Sequence, residues 1–225
     1  MPSLMLSPLV VTAKARFQQI QARKVGAPPP PAEFTTYIDQ IGAAIVKGHD
    51  LWRDLAQFTP FMINGTVATG GKLQGPDMGP LILLVAPSNG AQGNAARYSA
   101  AVAKAIGKAW KTLEQSVQGN LLYPMFASVP GGFAPPTPCV PAFFASFSSL
   151  AIQAGPLTDM MKTELGAPGP FSDALFESIA SGFELAANQW KAMQQVTNIM
   201  GQGPAPVMGG PVMGGTTIPG FPFKM

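Results

Sequence analysis

Glycine and proline set how long any regular element of this chain can run. The 225 residues include 25 glycines and 24 prolines, well above the usual levels of about 7% and 5%, and they are clustered. Residues 26–32 read Gly-Ala-Pro-Pro-Pro-Pro-Ala. Pro130, Pro135, Pro136, Pro138 and Pro141 crowd one later stretch, and Gly201, Gly203, Gly209, Gly210, Gly214 and Gly215 crowd another. Proline removes a donor and blocks a helix interior, and glycine weakens helix and strand alike. The chain is thereby cut into helical runs separated by Gly/Pro-rich stretches.

Charge narrows the class of protein. Charged residues make up 11% and hydrophobic residues 47%, where about a quarter charged is ordinary. This is not the high-charge, low-hydrophobicity composition of a disordered chain. A free monomer of this kind would show much uncharged surface to water, so the composition predicts cover by other subunits or by lipid. The formal net charge is +3, with Lys14, Arg16, Arg23 and Lys24 gathered in the first 24 residues without an acid. Four charges fall short of the dense basic stripe of a nucleic-acid binder. They read as one face of an amphipathic helix over 8–24. Residues 1–15 resemble a signal peptide only slightly, because Pro2, Pro8 and Lys14 spoil the pattern, and they are expected to dock on something instead. Residues 115–158 and 192–223 carry no charge but are broken by proline and glycine. The best uninterrupted piece, 142–154, is short of the about 20 residues a span needs, so a buried or interfacial helix is expected there.

The three tryptophans mark a recurring pattern. Trp52-Arg53-Asp54-Leu55, Trp110-Lys111-Thr112-Leu113 and Trp190-Lys191-Ala192-Met193 each lie in a helical run. Each is followed 18, 21 and 19 residues later by Gly70-Gly71, Gly131-Gly132 and Gly209-Gly210. Around each tryptophan a four-residue helical stripe appears: Ile45, Gly48, Trp52, Leu55; Ala103, Ile106, Trp110, Leu113; and Phe183, Ala186, Trp190, Met193. The third run extends back through Ile179 and Leu175, with Ser172 as its expected N-cap. The expected fold is mainly α. Three repeat-like helical units each precede an extended Gly/Pro-rich arm, with a small β-hairpin at 61–85 signalled by Asn64-Gly65. The organisation is an N-terminal helix and proline linker over 1–32, a helical body over 33–200 and an extended arm over 201–225. Trp52, Trp110 and Trp190 are the expected core anchors. Met208, Met213, Phe221 and Phe223, outside any helical pattern, are the expected contact residues of the last arm.

Chemistry is sparse. Gly65-Thr-Val-Ala-Thr-Gly-Gly-Lys72-Leu73 brushes against a phosphate-binding loop, but the spacing is one residue long and Leu73 stands where a metal-binding hydroxyl belongs. His49-Asp50 is a histidine beside an acid without a recognisable nucleophile, and reads as the polar flank of a packed face. One histidine and one cysteine, Cys139, exclude clustered zinc ligands, and a lone cysteine excludes an internal disulfide. No catalytic residue, cofactor or metal is expected, and the chain reads as a non-enzyme.

The arms at 26–32, 130–141 and 201–225, with charge-poor helices between them, resemble those of minor structural proteins of tailed phages and contractile injection particles. The likeness is one of style and not of motif. It implies a virion or particle component that assembles in a bacterial cytoplasm and joins other protein subunits, including copies of itself, through its arms. The alternative is a peripheral membrane protein using the basic N-terminal helix and the apolar stretch 142–154.

Overall fold

A computed structural model of the chain describes residues 4–23, 29–124, 126, 132–143, 150–193, 195–196, 199–204 and 212–218. The first helix, α1 (Leu6–Ala22), buries Leu9, Ala13, Phe17 and Gln21, a single stripe of fours. The proline run ends at Pro31, and α2 (Ala32–Leu55) starts at the next residue. Short strands β1 (Gln57–Phe58), β2 (Met62–Gly65) and β3 (Val67–Gln74) follow, then α3 (Met78–Leu83) and α4 (Ala95–Ser116). Next come β4 (Gln118–Leu122), β5 (Phe133–Pro138) and β6 (Ala142–Phe143), with a 3-10 turn at Leu150–Ile152. The chain continues with α5 (Ala154–Leu165), α6 (Ser172–Met193), β7 (Gln195–Val196), β8 (Met200–Pro204) and β9 (Val212–Thr217).

The helices approach one another closely over glycine. A Cβ on Gly182 of α6 would stand 2.3 Å from the carbonyl oxygen of Leu9 on α1, and one on Gly42 of α2 would stand 2.6 Å from Val10. Gly48 makes the same room for Ile82 of α3, and Gly107 of α4 for Gly79 of α3. The helix with the basic residues thus lies on the body. Lys14 pairs with Asp39 of α2 at 2.6 Å and Arg16 with Glu177 of α6 at 2.6 Å.

The fold is α+β, which corrects the mainly α, three-unit reading. Residues expected to leave as arms return as strands of one seven-stranded antiparallel sheet, in the order β1-β3-β2-β9-β8-β5 with β4 also on β3. The physical reason lies on the inner face of that sheet. A Cβ on Gly71 would stand 2.3 Å from the Phe61 ring, one on Gly201 2.6 Å from Ile63, and one on Gly215 2.4 Å from Val212. Glycines that looked like flexible spacers are the positions where the sheet curls onto its own large side chains. The curl brings the ends of the ribbon together, for the Val140 N–H beyond β5 donates to the Leu122 carbonyl of β4 at 2.7 Å.

Local expectations fare unevenly. The hairpin is present at Asn64-Gly65: Asn64 pairs with Val67, and Gly65 takes φ 74 in the two-residue turn, which suits glycine. The second half of the expected hairpin, 81–85, is instead in and just after α3. Asp77 caps that helix by accepting from the Gly79 N–H at 3.0 Å. Of the helix expected over 142–154, Ala142–Phe143 form β6, which pairs with β7, Leu150–Ile152 form the 3-10 turn and α5 starts only at Ala154, while residues 144–149 lie outside the described residues. Pro156 then falls in the first turn of α5, where its missing donor costs nothing. Ser172 is the first residue of α6, and its Oγ accepts from the Gly169 N–H at 3.3 Å.

Candidate interaction face

The core side of the fold accounts for the aromatic residues singled out by spacing. Trp52, Trp110 and Trp190 stand near the C-terminal ends of α2, α4 and α6, and their rings meet at centroid distances of 5.0, 5.3 and 6.1 Å. His49 sits among them, 5.0–5.6 Å from each. All four are buried. The stripes around them are buried except at their last positions in two helices, where Leu55 and Met193 turn outward. The Trp52 indole donates to Oε1 of Glu114, and Lys111 reaches Oε2 of that carboxylate at 2.7 Å. Burial pushes the Glu114 carboxyl up, opposed by Lys111 and Trp52, and pushes His49 down.

The backbone of the glycine-rich hairpin is engaged elsewhere: the Lys72 N–H donates to Thr59 Oγ1 at 2.8 Å, and β3 is committed to its ladders. No phosphate cradle is left there. Cys139 is buried, and burial pushes its thiol up, away from the reactive thiolate. Among the described residues no group of three or more histidines, cysteines and acids could hold a metal. Nor is any helix among them long and apolar enough to cross a membrane. A groove between α3 and α4 is lined by Asp77, Pro80, Leu83 and the stems of Lys104, Lys108 and Lys111. Lys108 is paired with Glu164 and Lys111 with Glu114, so its charges are largely balanced from within the chain.

The outer face of the sheet is different. Residues paired across antiparallel strands share a face, so the register places Leu122, Val67, Asn64 and Met213 in one row across β4, β3, β2 and β9. Met62 lies in the adjoining row between Thr69 and Thr216, with Gln202 beyond. Met62 is 60% exposed, Met213 63% and Leu122 53%, with Val67, Val140, Phe133 and Met200 also open to solvent. Across the strands of the described residues the one charged residue is Lys72. The Asn64 side chain accepts from the Gly214 N–H at 3.2 Å, fixing β2 against β9 beneath the row. Because the ribbon ends meet, the sheet exposes this face more than a long free edge.

Met213 is thus the expected contact residue that the fold sets in the row, whereas Met208, Phe221 and Phe223 lie outside the described residues. Met62, Val67, Leu122 and Val140 were not singled out by sequence. Their signal was the alternation Met62-Ile63-Asn64 and Val67-Ala68-Thr69, hidden by the glycines beside it. Glu114 was also missed, although four residues after Trp110 it must share that buried helical face. Comparison with protein-family models, with curated proteins and with solved structures finds no match.

Proposed function

We propose that this chain is a non-enzymatic assembly subunit of a multi-protein particle, of the kind found in phage virions or contractile tail-like machines. It joins its neighbours through the outer face of the sheet. The observation that supports this reading is the row Leu122, Val67, Asn64, Met213 with Met62 alongside, open to solvent and free of charge except at Lys72. Water is a poor partner for contiguous apolar surface, and covering it releases roughly 25 cal/mol per Å². The first partner is a second copy of this chain. Two such faces oppose almost no like charge, so nothing electrostatic keeps copies apart.

Sedimentation velocity across a concentration series tests the reading, with the double variant Met62→Lys/Met213→Lys as comparison. The wild-type chain should self-associate, and the variant should sediment as a monomer with unchanged far-ultraviolet circular dichroism. A wild-type chain that stays monomeric at every concentration and binds no particle component would overturn the proposal.

A further inference from the structure

The chain has one histidine and three tryptophans, and all four meet in one buried cluster. We propose that His49 is an acid-sensitive joint: gaining a proton on its imidazole forces apart the contact of α2, α4 and α6 and releases the strands that continue from those helix ends. The inference concerns the isolated chain and does not rest on the assembly reading.

The geometry carries it. His49 is 0% exposed, with indole rings on three sides at 5.6, 5.2 and 5.0 Å. Neither ring nitrogen has a hydrogen-bond partner within normal distance among the described residues. The nearby carboxylate, Asp50, stands 4.0 Å from Nδ1 and is held by Arg53 at 3.3 Å. The charged groups beside the cluster include Asp50 with Arg53 on α2, Glu114 with Lys111 on α4, and Lys191 next to Trp190 on α6. Each carboxylate among them already holds a cation, so an imidazolium would have to share an anion or go without one. An ion taken from water into such a site is costly unless it is paired. The indole faces offer a cation only partial compensation. Burial is the leading influence on this imidazole and disfavours its charged form.

The position of the cluster gives the proton a structural consequence. Three residues beyond His49 is Trp52, whose indole lies against Gly75 at the end of β3; a Cβ there would stand 2.1 Å from Nε1. Trp110 and Trp190 precede β4 and β7 by less than three turns of helix. Loosening the cluster therefore acts where the helical half meets the strands.

Every tryptophan of the chain is in the cluster, so intrinsic fluorescence reports on it alone. A titration of the full chain from pH 8 to pH 4.5 should show a cooperative red shift of emission with loss of near-ultraviolet dichroism, its midpoint below the ordinary histidine value of about 6.5. In His49→Phe and His49→Gln the transition should be lost or should move by at least about one pH unit, the scale of a tenfold change in proton affinity. A flat wild-type titration, or a transition unchanged in both variants, overturns the proposal. Should neither variant fold, the single histidine resonance in the proton spectrum of the wild-type chain decides. Absence of titration until the fold opens supports the joint, and an ordinary titration in the folded chain overturns it.

Discussion

The indole N–H of Trp52 on α2 donates to the carboxylate of Glu114 on α4, 62 residues away in the chain. The acid is buried, and its second oxygen is held by the half-exposed Lys111. This one acceptor ties two of the three long helices together beside the tryptophan cluster, and its loss takes a charged acceptor from a buried donor. Glu114→Ala should therefore destabilise the fold by about 1.5–3 kcal/mol, the usual worth of a hydrogen bond to a charged group. Glu114→Gln, which keeps an acceptor for Trp52, should cost less. Urea denaturation of the two variants reads the difference, and equal midpoints would show that the bond contributes nothing.

Within the tryptophan cluster the three indoles are not equivalent. The Trp110 N–H has no hydrogen-bond partner among the described residues, whereas that of Trp52 has Glu114. Replacement by phenylalanine removes a needed donor at Trp52 and not at Trp110, so Trp52→Phe should cost more than Trp110→Phe by about 1–3 kcal/mol. Trp110→Ala, which empties the site, should cost about 3–5 kcal/mol. Denaturant midpoints for the three variants order them.

Glycine replacement separates close packing from mere turn-making. Gly71→Ala pushes a methyl onto the Phe61 ring and should cost about 1–3 kcal/mol, as overpacking does. Gly155 near the start of α5 has nothing within 4 Å of an added Cβ. There Gly155→Ala should be neutral or stabilising by up to about 1 kcal/mol, the helix propensity difference. Thermal melts of the pair give opposite signs if Gly71 is a packing position, and the same sign if it is a spacer.

Alkali should reveal the tyrosines only by unfolding the chain. Burial pushes the hydroxyls of Tyr37, Tyr98 and Tyr123 up, and these are all the tyrosines present. An acid whose folded value lies above its unfolded value stabilises the fold below the unfolded value. That contribution fades as pH rises past about 10, where the unfolded tyrosine ionises. Absorbance of tyrosinate should appear in one cooperative step together with loss of helicity. Gradual ionisation at an ordinary midpoint, with the helices intact, would contradict the buried placement.

The long helices were legible because their evidence is local. Each backbone bond of α2, α4 and α6 closes over four residues, and the stripes Ile45-Gly48-Trp52, Ala103-Ile106-Trp110 and Phe183-Ala186-Trp190 repeat on that scale and are buried. The turn at Asn64-Gly65 was legible for the same reason. The strands were not, because Asn64 pairs with Met213 and Val67 with Leu122, partners that no window of sequence contains.

By itself, then, the sequence determined where the long helices α2, α4 and α6 run and that the chain would be short of charge at its surface. Tertiary structure alone decided that Gly71, Gly201 and Gly215 line the inside of a curled sheet, that three tryptophans close around His49, and that Met62 and Met213 stand in adjoining rows outside. A helix satisfies its donors and acceptors within its own turns, whereas a strand satisfies them only on a neighbour. The role of a glycine-rich segment is therefore fixed by what the rest of the chain brings against it.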